Sequence, residues 1–179
     1  ERFFCAGADI GMLKGADPEF KYYFCLHANE TLNRLEQTPK LVIAALNGHT
    51  VGGGLEVALA ADIRIARKDA GRIGLPEVAL GVLPGTGGTQ RLARLAGKSR
   101  AIELIATGRL MSFDEALALG LVTEVWGEEE LKGRSFADAV ATAPAAGRRS
   151  TSTLDVPGEP VMVRSLRPWA SVSVSGAMA

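Results

Sequence analysis

Apolar and polar positions along this chain fall into two kinds of pattern. Between residues 22 and 37, Phe24, Leu26, Ala28, Leu32 and Leu35 recur at helical spacing. That spacing predicts a helix with those residues turned inward. Residues 40–46 form instead a short β-branched apolar run, which predicts a buried strand, and Asn47-Gly48 predicts the turn after it. Residues 2–5 read as the end of a strand. The small residues Ala6, Gly7 and Ala8 then turn the chain, and Asp9 is placed to cap a short helix. Residues 54–61, 87–95 and 99–106 read as helices, and 62–66 and 121–126 as strands. Ser112 with Glu115 three residues later matches a capping box, so a helix should start at Ser112. It should end near Gly120, where glycine accepts the left-handed conformation that follows a last turn. Strand, turn and helix alternate, which predicts an α/β class with packed layers.

The pattern changes near residue 133. The stretch ATAPAAGRRSTSTLDVPGEP sustains neither a helical nor a strand period. We therefore divide the chain into a patterned domain at 1–132 and a divergent tail at 133–179, expected to be mostly loop and poorly ordered. Composition adds exclusions. Hydrophobic residues are 47% and charged residues 22% of the 179, ordinary values for a chain with a real core. Lys plus Arg and Asp plus Glu are 20 each, so no net basic charge suggests nucleic acid as a partner. A local basic pocket for one phosphorylated ligand stays open. Cys5 and Cys25 form no CxxC pair, which argues against zinc and against a redox dithiol. They read as reduced thiols of an intracellular protein. No apolar run approaches a membrane span, and no signal peptide is visible. The chain opens Glu-Arg-Phe-Phe, as though partway through a strand.

Four segments hold candidate chemistry. Gly52-Gly53-Gly54-Leu55-Glu56 lies between a predicted strand and a predicted helix. Its glycines allow close backbone approach, and a helix starting there leaves amides free for an anion or a developing oxyanion. Glu56 falls on the first turn. Gly74-Leu75-Pro76-Glu77 sets a second carboxylate beside the apolar stretch 78–83, where desolvation would raise its pKa and let it hold a proton near neutral pH. Ala6-Gly7-Ala8-Asp9-Ile10 exposes amides with little obstruction. The glycine-rich run 83–91 could cradle phosphate, but it lacks the P-loop ending and the dinucleotide glycine spacing. Read alone, the segments of Glu56 and Glu77 fit plain structural turns better than they fit chemistry. A nucleophilic pair of Cys5 with His49 is conceivable, but nothing in their spacing brings the two together.

Taken in order, "FCAGADI", "NGHTVGGGLEVALAADIRIA", "GLPEVALGVLPGTGGTQRLARLAGKSRAIELIATGR" and "ALALGLVTEV" resemble the crotonase superfamily, also called the enoyl-CoA hydratase/isomerase family. The resemblance covers roughly residues 1–132 and is closest to enoyl-CoA hydratases. It implies a crotonase-like spiral of ββα units, here incomplete at the N- and C-termini. It also implies assembly as a trimer or hexamer in the full-length form. It places the amides of Ala8 and Gly53 at the oxyanion hole for a CoA thioester carbonyl, and Glu56 and Glu77 at the acid/base positions. Arg2, Ala6, Ala8, Asp9 and Ile10 would lie along the CoA moiety, and Gly85 would line the catalytic pocket. The stretch between Glu56 and Glu77 looks one residue longer than usual, with the extra residue in the loop 67–72.

The activity that follows from the resemblance is reversible hydration of a 2-trans-enoyl-CoA to a 3-hydroxyacyl-CoA. Isomerisation of the double bond, or a non-catalytic homologue, are the alternatives. No metal or redox cofactor is expected, because the CoA thioester is itself the substrate. No nucleic-acid or membrane partner is expected either. The compartment would be cytoplasmic in a bacterium or mitochondrial in a eukaryote.

Overall fold

The computed structural model describes residues 2–143 and the backbone of a strand at 161–163. Seven strands form two parallel sheets among the described residues. β1 (Phe3–Cys5), β3 (His49–Val51) and β5 (Ile73–Gly74) make the smaller, in the order β1-β3-β5. β2 (Val42–Leu46), β4 (Ile63–Arg67), β6 (Glu124–Trp126) and β7 (Val161–Val163) make the larger, in the order β6-β4-β2-β7. Successive strands alternate between the sheets: β2 then β3, β4 then β5. Each pair is followed by helix, α3 (Gly53–Leu59) after the first, α4 (Gly88–Ala96) and α5 (Lys98–Thr107) after the second. This is the expected spiral of strand–strand–helix units.

β2 shows why its sequence is apolar throughout. All five of its residues are buried. Val42, Ala44 and Leu46 face a core shared with Phe4, Leu55, Ile73, Leu92 and Phe113. Ile43 and Ala45 face a second core with Ile65, Leu131, Phe136 and Val140. A strand covered on both faces cannot alternate apolar with polar.

The helices start where the caps predict. Asp9 accepts from the amides of Gly11 and Met12 at the start of α1 (Ile10–Gly15). Asp17 caps α2 (Pro18–Glu36), with Pro18 in the first turn. Ser112 Oγ accepts from Glu115 N at 3.1 Å to open α6 (Phe113–Ala118), and Gly120 follows it at φ +73°. Only half of the expected capping box forms, because Glu115 receives Arg109 Nη1 at 2.7 Å instead of turning back.

Two expectations change. In α2, Ala28 and Leu32 are buried, but Leu26 is exposed, since only the C-terminal half of this helix reaches the core. The division at residue 132 also does not mark the end of ordered packing. After α7 (Glu128–Leu131), residues 136–141 form α8 (Phe136–Ala141), whose Phe136, Ala139 and Val140 enter the second core. Val161–Val163 then pairs with Val42–Ala44 of β2. The rest of the expected tail lies outside the described residues.

Candidate active site

Glu56 is fixed by two glycine segments. Gly52 turns the chain out of β3 at φ +57°, and α3 begins at the next residue. Gly54 packs its α-carbon against the Cys5 carbonyl, where a Cβ would overlap the oxygen, so α3 lies directly on β1. This seats Glu56 in the interior, at 2% exposure. The loop before α4 then closes around its carboxylate. Thr86 N and Gly88 N each donate to Oε1 at 2.8 Å, and the Thr86 hydroxyl donates to Oε2. A Cβ on Gly88 would stand 2.9 Å from Oε1. The glycine-rich loop that resembled a phosphate cradle does hold an anionic group type. That group is the protein's own glutamate.

Glu77 opens a 3₁₀ turn, Glu77–Leu80, directly after Pro76. Its Oε1 lies against the Gly52 α-carbon, 3.3 Å from where a Cβ would be, so any larger residue at 52 would press on it. Its Oε2 is buried without a hydrogen-bond partner among the described residues. Burial is the main cause that raises its pKa to about 7. A bond from its own backbone amide opposes the rise, and the charge of Glu56 adds to it. The source of that burial differs from the expected one. Val78, Leu80, Val82 and Leu83, the expected apolar flank, are exposed. The glycine turn ahead of α3 touches the carboxyl at Oε1.

The same turn meets the first motif. Gly7 has φ +88°, and a Cβ there would sit 2.8 Å from Gly53 N. Ala8 therefore follows directly on the contact with Gly53. Neither the Ala8 nor the Gly53 amide donates to another group among the described residues. Ala6, Asp9 and Ile10 are exposed around this contact. The Asp9 carboxylate is occupied in capping α1. Arg2 is exposed at the outer end of β1, its guanidinium 5.6 Å from the Phe3 ring centroid. Gly85 is exposed on the loop that grips Glu56, and a Cβ there would meet Cys25 Sγ at 2.8 Å.

Cys5 and His49 do not pair. Cys5 Sγ accepts from Gly7 N, and burial pushes its thiol pKa up, the reverse of an activated nucleophile. His49 Nδ1 accepts from Arg72 N at 3.0 Å. The donors Thr86 and Gly88 were not singled out from sequence, although they lie within the run 83–91. Their partner is 30 or more residues away, and no local signal names it. Chemically, the arrangement offers two carboxylates of different surroundings and two amides without a partner among the described residues, around one glycine turn. That combination suits proton transfer next to a carbonyl whose oxygen gains charge.

Fold and site together define an α/β protein of the crotonase kind. The model of the enoyl-CoA hydratase/isomerase family matches residues 1–156, and the chain belongs to that family. The match runs past residue 132, beyond the stretch that carried the resemblance. A short-chain-enoyl-CoA hydratase of Clostridium acetobutylicum is 44% identical over 158 residues, covering 87% of this chain and 60% of that protein. A probable enoyl-CoA hydratase of Bacillus subtilis is 49% identical over 125 residues, covering 68% of this chain and 47% of its own length. Among solved structures, the enoyl-CoA hydratase of Bacillus anthracis aligns with a TM-score of 0.70 at 44% identity, over 78% of this chain and 54% of that one. The chain thus spans about half the length of the relatives it matches.

Proposed function

We propose that this chain carries the reaction centre for reversible hydration of a 2-trans-enoyl-CoA to a 3-hydroxyacyl-CoA. One observation carries this reading: Glu56, gripped by three donors, and Glu77, with a pKa of about 7, flank the same glycine turn. Hydration needs one group to activate water and another to deliver a proton to the α-carbon. Glu77 near its pKa can carry that proton at neutral pH. Glu56 takes a proton from the water whose oxygen bonds to the β-carbon. The enolate-like charge on the thioester oxygen is met by the amides of Ala8 and Gly53, each worth about 3–4 kcal/mol when judged by removal.

Arg2, Ala6, Asp9 and Ile10 provide the CoA-facing edge, and Gly85 the wall of the acyl pocket. The coenzyme enters as part of the substrate, and no separate cofactor is assigned. Retention of both glutamates favours hydration over isomerisation of the double bond. In its full-length form we read the protein as a homo-oligomer, a trimer or hexamer. The test is hydration of crotonyl-CoA by this chain and by a version as long as the relatives. Formation of 3-hydroxybutyryl-CoA is the expected result. Double-bond migration without hydration, or no turnover by either version, would overturn the proposal.

A further inference from the structure

Arg91, on the first turn of α4, is buried at 4% exposure yet carries a full charge into the interior. Every arm of its guanidinium is engaged. Nε and Nη2 donate to the two carboxylate oxygens of Glu36 at 2.9 Å each, a bidentate clasp. Nη2 also reaches Asn33 Oδ1 at 3.0 Å. Nη1 donates to the Thr86 carbonyl at 2.7 Å. Gly87 lies between them at φ +95°, and a Cβ there would collide with Nη1. The loop is therefore shaped to let the guanidinium rest on its backbone.

Thr86 is where this cluster meets the chemistry. Its carbonyl accepts from Arg91, while its amide and hydroxyl both donate to Glu56. The run from Glu36 and Asn33 on α2, through Arg91 on α4 and Thr86 in the loop, to Glu56 on α3 is continuous. A buried charge costs free energy unless its partners are well placed. Here the partners are well placed, and one of them is the peptide that orients the carboxylate.

We propose that Arg91 is a positioning residue, clamped to α2 by Glu36 and Asn33, that holds Thr86 so that the loop fixes the Glu56 carboxylate for reaction. The role rests on the hydratase reading for its effect on rate, but not for its effect on Glu56 itself. Arg91→Met removes the clasp with little loss of volume. It should lower kcat for crotonyl-CoA about 100-fold, the size expected when a reacting group is misplaced by about 1 Å, with KM changed far less. Arg91→Lys keeps the charge but not the fork, and should recover only part of the rate.

Two readouts separate positioning from general support. In a Glu56→Gln background the loss caused by Arg91→Met should nearly vanish, because the group it positions is gone. Equal fold losses in both backgrounds would overturn the proposal. So would unchanged kcat in Arg91→Met. The second readout needs no turnover: the carboxyl carbon resonance of Glu56 and the pH inflection of Glu77 should both move in Arg91→Met. If the parent does not hydrate crotonyl-CoA, the hydratase reading fails and these resonances alone decide the role of Arg91. Unmoved resonances overturn it. Should Arg91→Met fail to fold, Arg91→Lys is read by the same criteria.

Discussion

Glu77 makes its own pH dependence. Its carboxyl ordinarily titrates near 4.5 and does so at about 7 in the fold. The folded state therefore holds the proton more tightly than the unfolded chain. The stabilising contribution of that proton is full below about 4.5 and is lost as pH rises through about 7. Denaturant midpoints taken at about pH 5 and about pH 8 should fall with rising pH more in the parent than in Glu77→Gln, which cannot titrate. Equal falls in the two would show that Glu77 is not shifted. Because the Glu56 charge contributes after burial, Glu56→Gln should lower the Glu77 inflection without returning it to 4.5. A carboxyl titration by NMR measures this directly. For the reaction, Glu56→Gln and Glu77→Gln should each cost at least about two orders of magnitude in hydration rate, the usual share of acid/base catalysis, while CoA binding persists. Near-parental turnover in both would remove them from the mechanism.

Elements here are held at set distances by missing side chains. Gly54 is the clearest case, with α3 pressed onto the Cys5 carbonyl of β1. Gly54→Ala must push the helix off the strand. Overpacking costs about 1–3 kcal/mol, and a backbone obstacle that cannot rotate away puts this change at the upper end. Equilibrium unfolding should show that loss. The rate should fall further than stability, because the displaced helix carries both Glu56 and the Gly53 amide. A Gly54→Ala variant as stable as the parent would mean that α3 does not sit so close. At α6, the Glu115 side chain serves Arg109 rather than its own helix start, so Ser112 carries the cap without help from the box partner. Removing the Ser112 hydroxyl should cost about 1 kcal/mol of stability.

Across the molecule, the strands are shared between two sheets, and β2 lies between two cores. The second core depends on α8, which brings Phe136, Ala139 and Val140 against Ile43 and Ile65. Amides in the last turn of α8 should be protected from hydrogen exchange nearly as well as those of β2. Phe136→Ala should cost about 3–5 kcal/mol, the range for a buried phenylalanine. Fast exchange in α8, with little effect of Phe136→Ala, would place the packed domain's end nearer residue 132 after all. α8 escapes sequence reading because it is a short helix of six residues in an Ala-rich stretch. Its apolar period is too brief to stand out, and the one local signal is the cap, Ser135 Oγ accepting from Asp138 N at 3.2 Å.

Local rules account for what was legible in the chain alone. Asp9, Ser112 and Gly120 mark helix ends because a cap acts within three or four residues. The run 40–46 reads as a buried strand because both its faces are covered. Gly53, Glu56, Glu77 and Ala8 were recognisable from motifs in series, and the fold brings their segments to one turn. Distant contacts account for the rest. Glu56 takes its donors from residues 30 and 32 positions away, and no periodicity carries that pairing. Glu77 meets Gly52 from a distant part of the chain, while residues 78–83 stay exposed around the 3₁₀ turn. Leu26 has the helical spacing of a core residue, yet α2 extends past the core it was expected to reach. Which sheet each short strand joins depends on pairing across the chain. Sequence pattern specifies what each segment prefers to be, and packing settles which surfaces meet, since solvent exclusion and hydrogen-bond partners exist only once the segments are assembled.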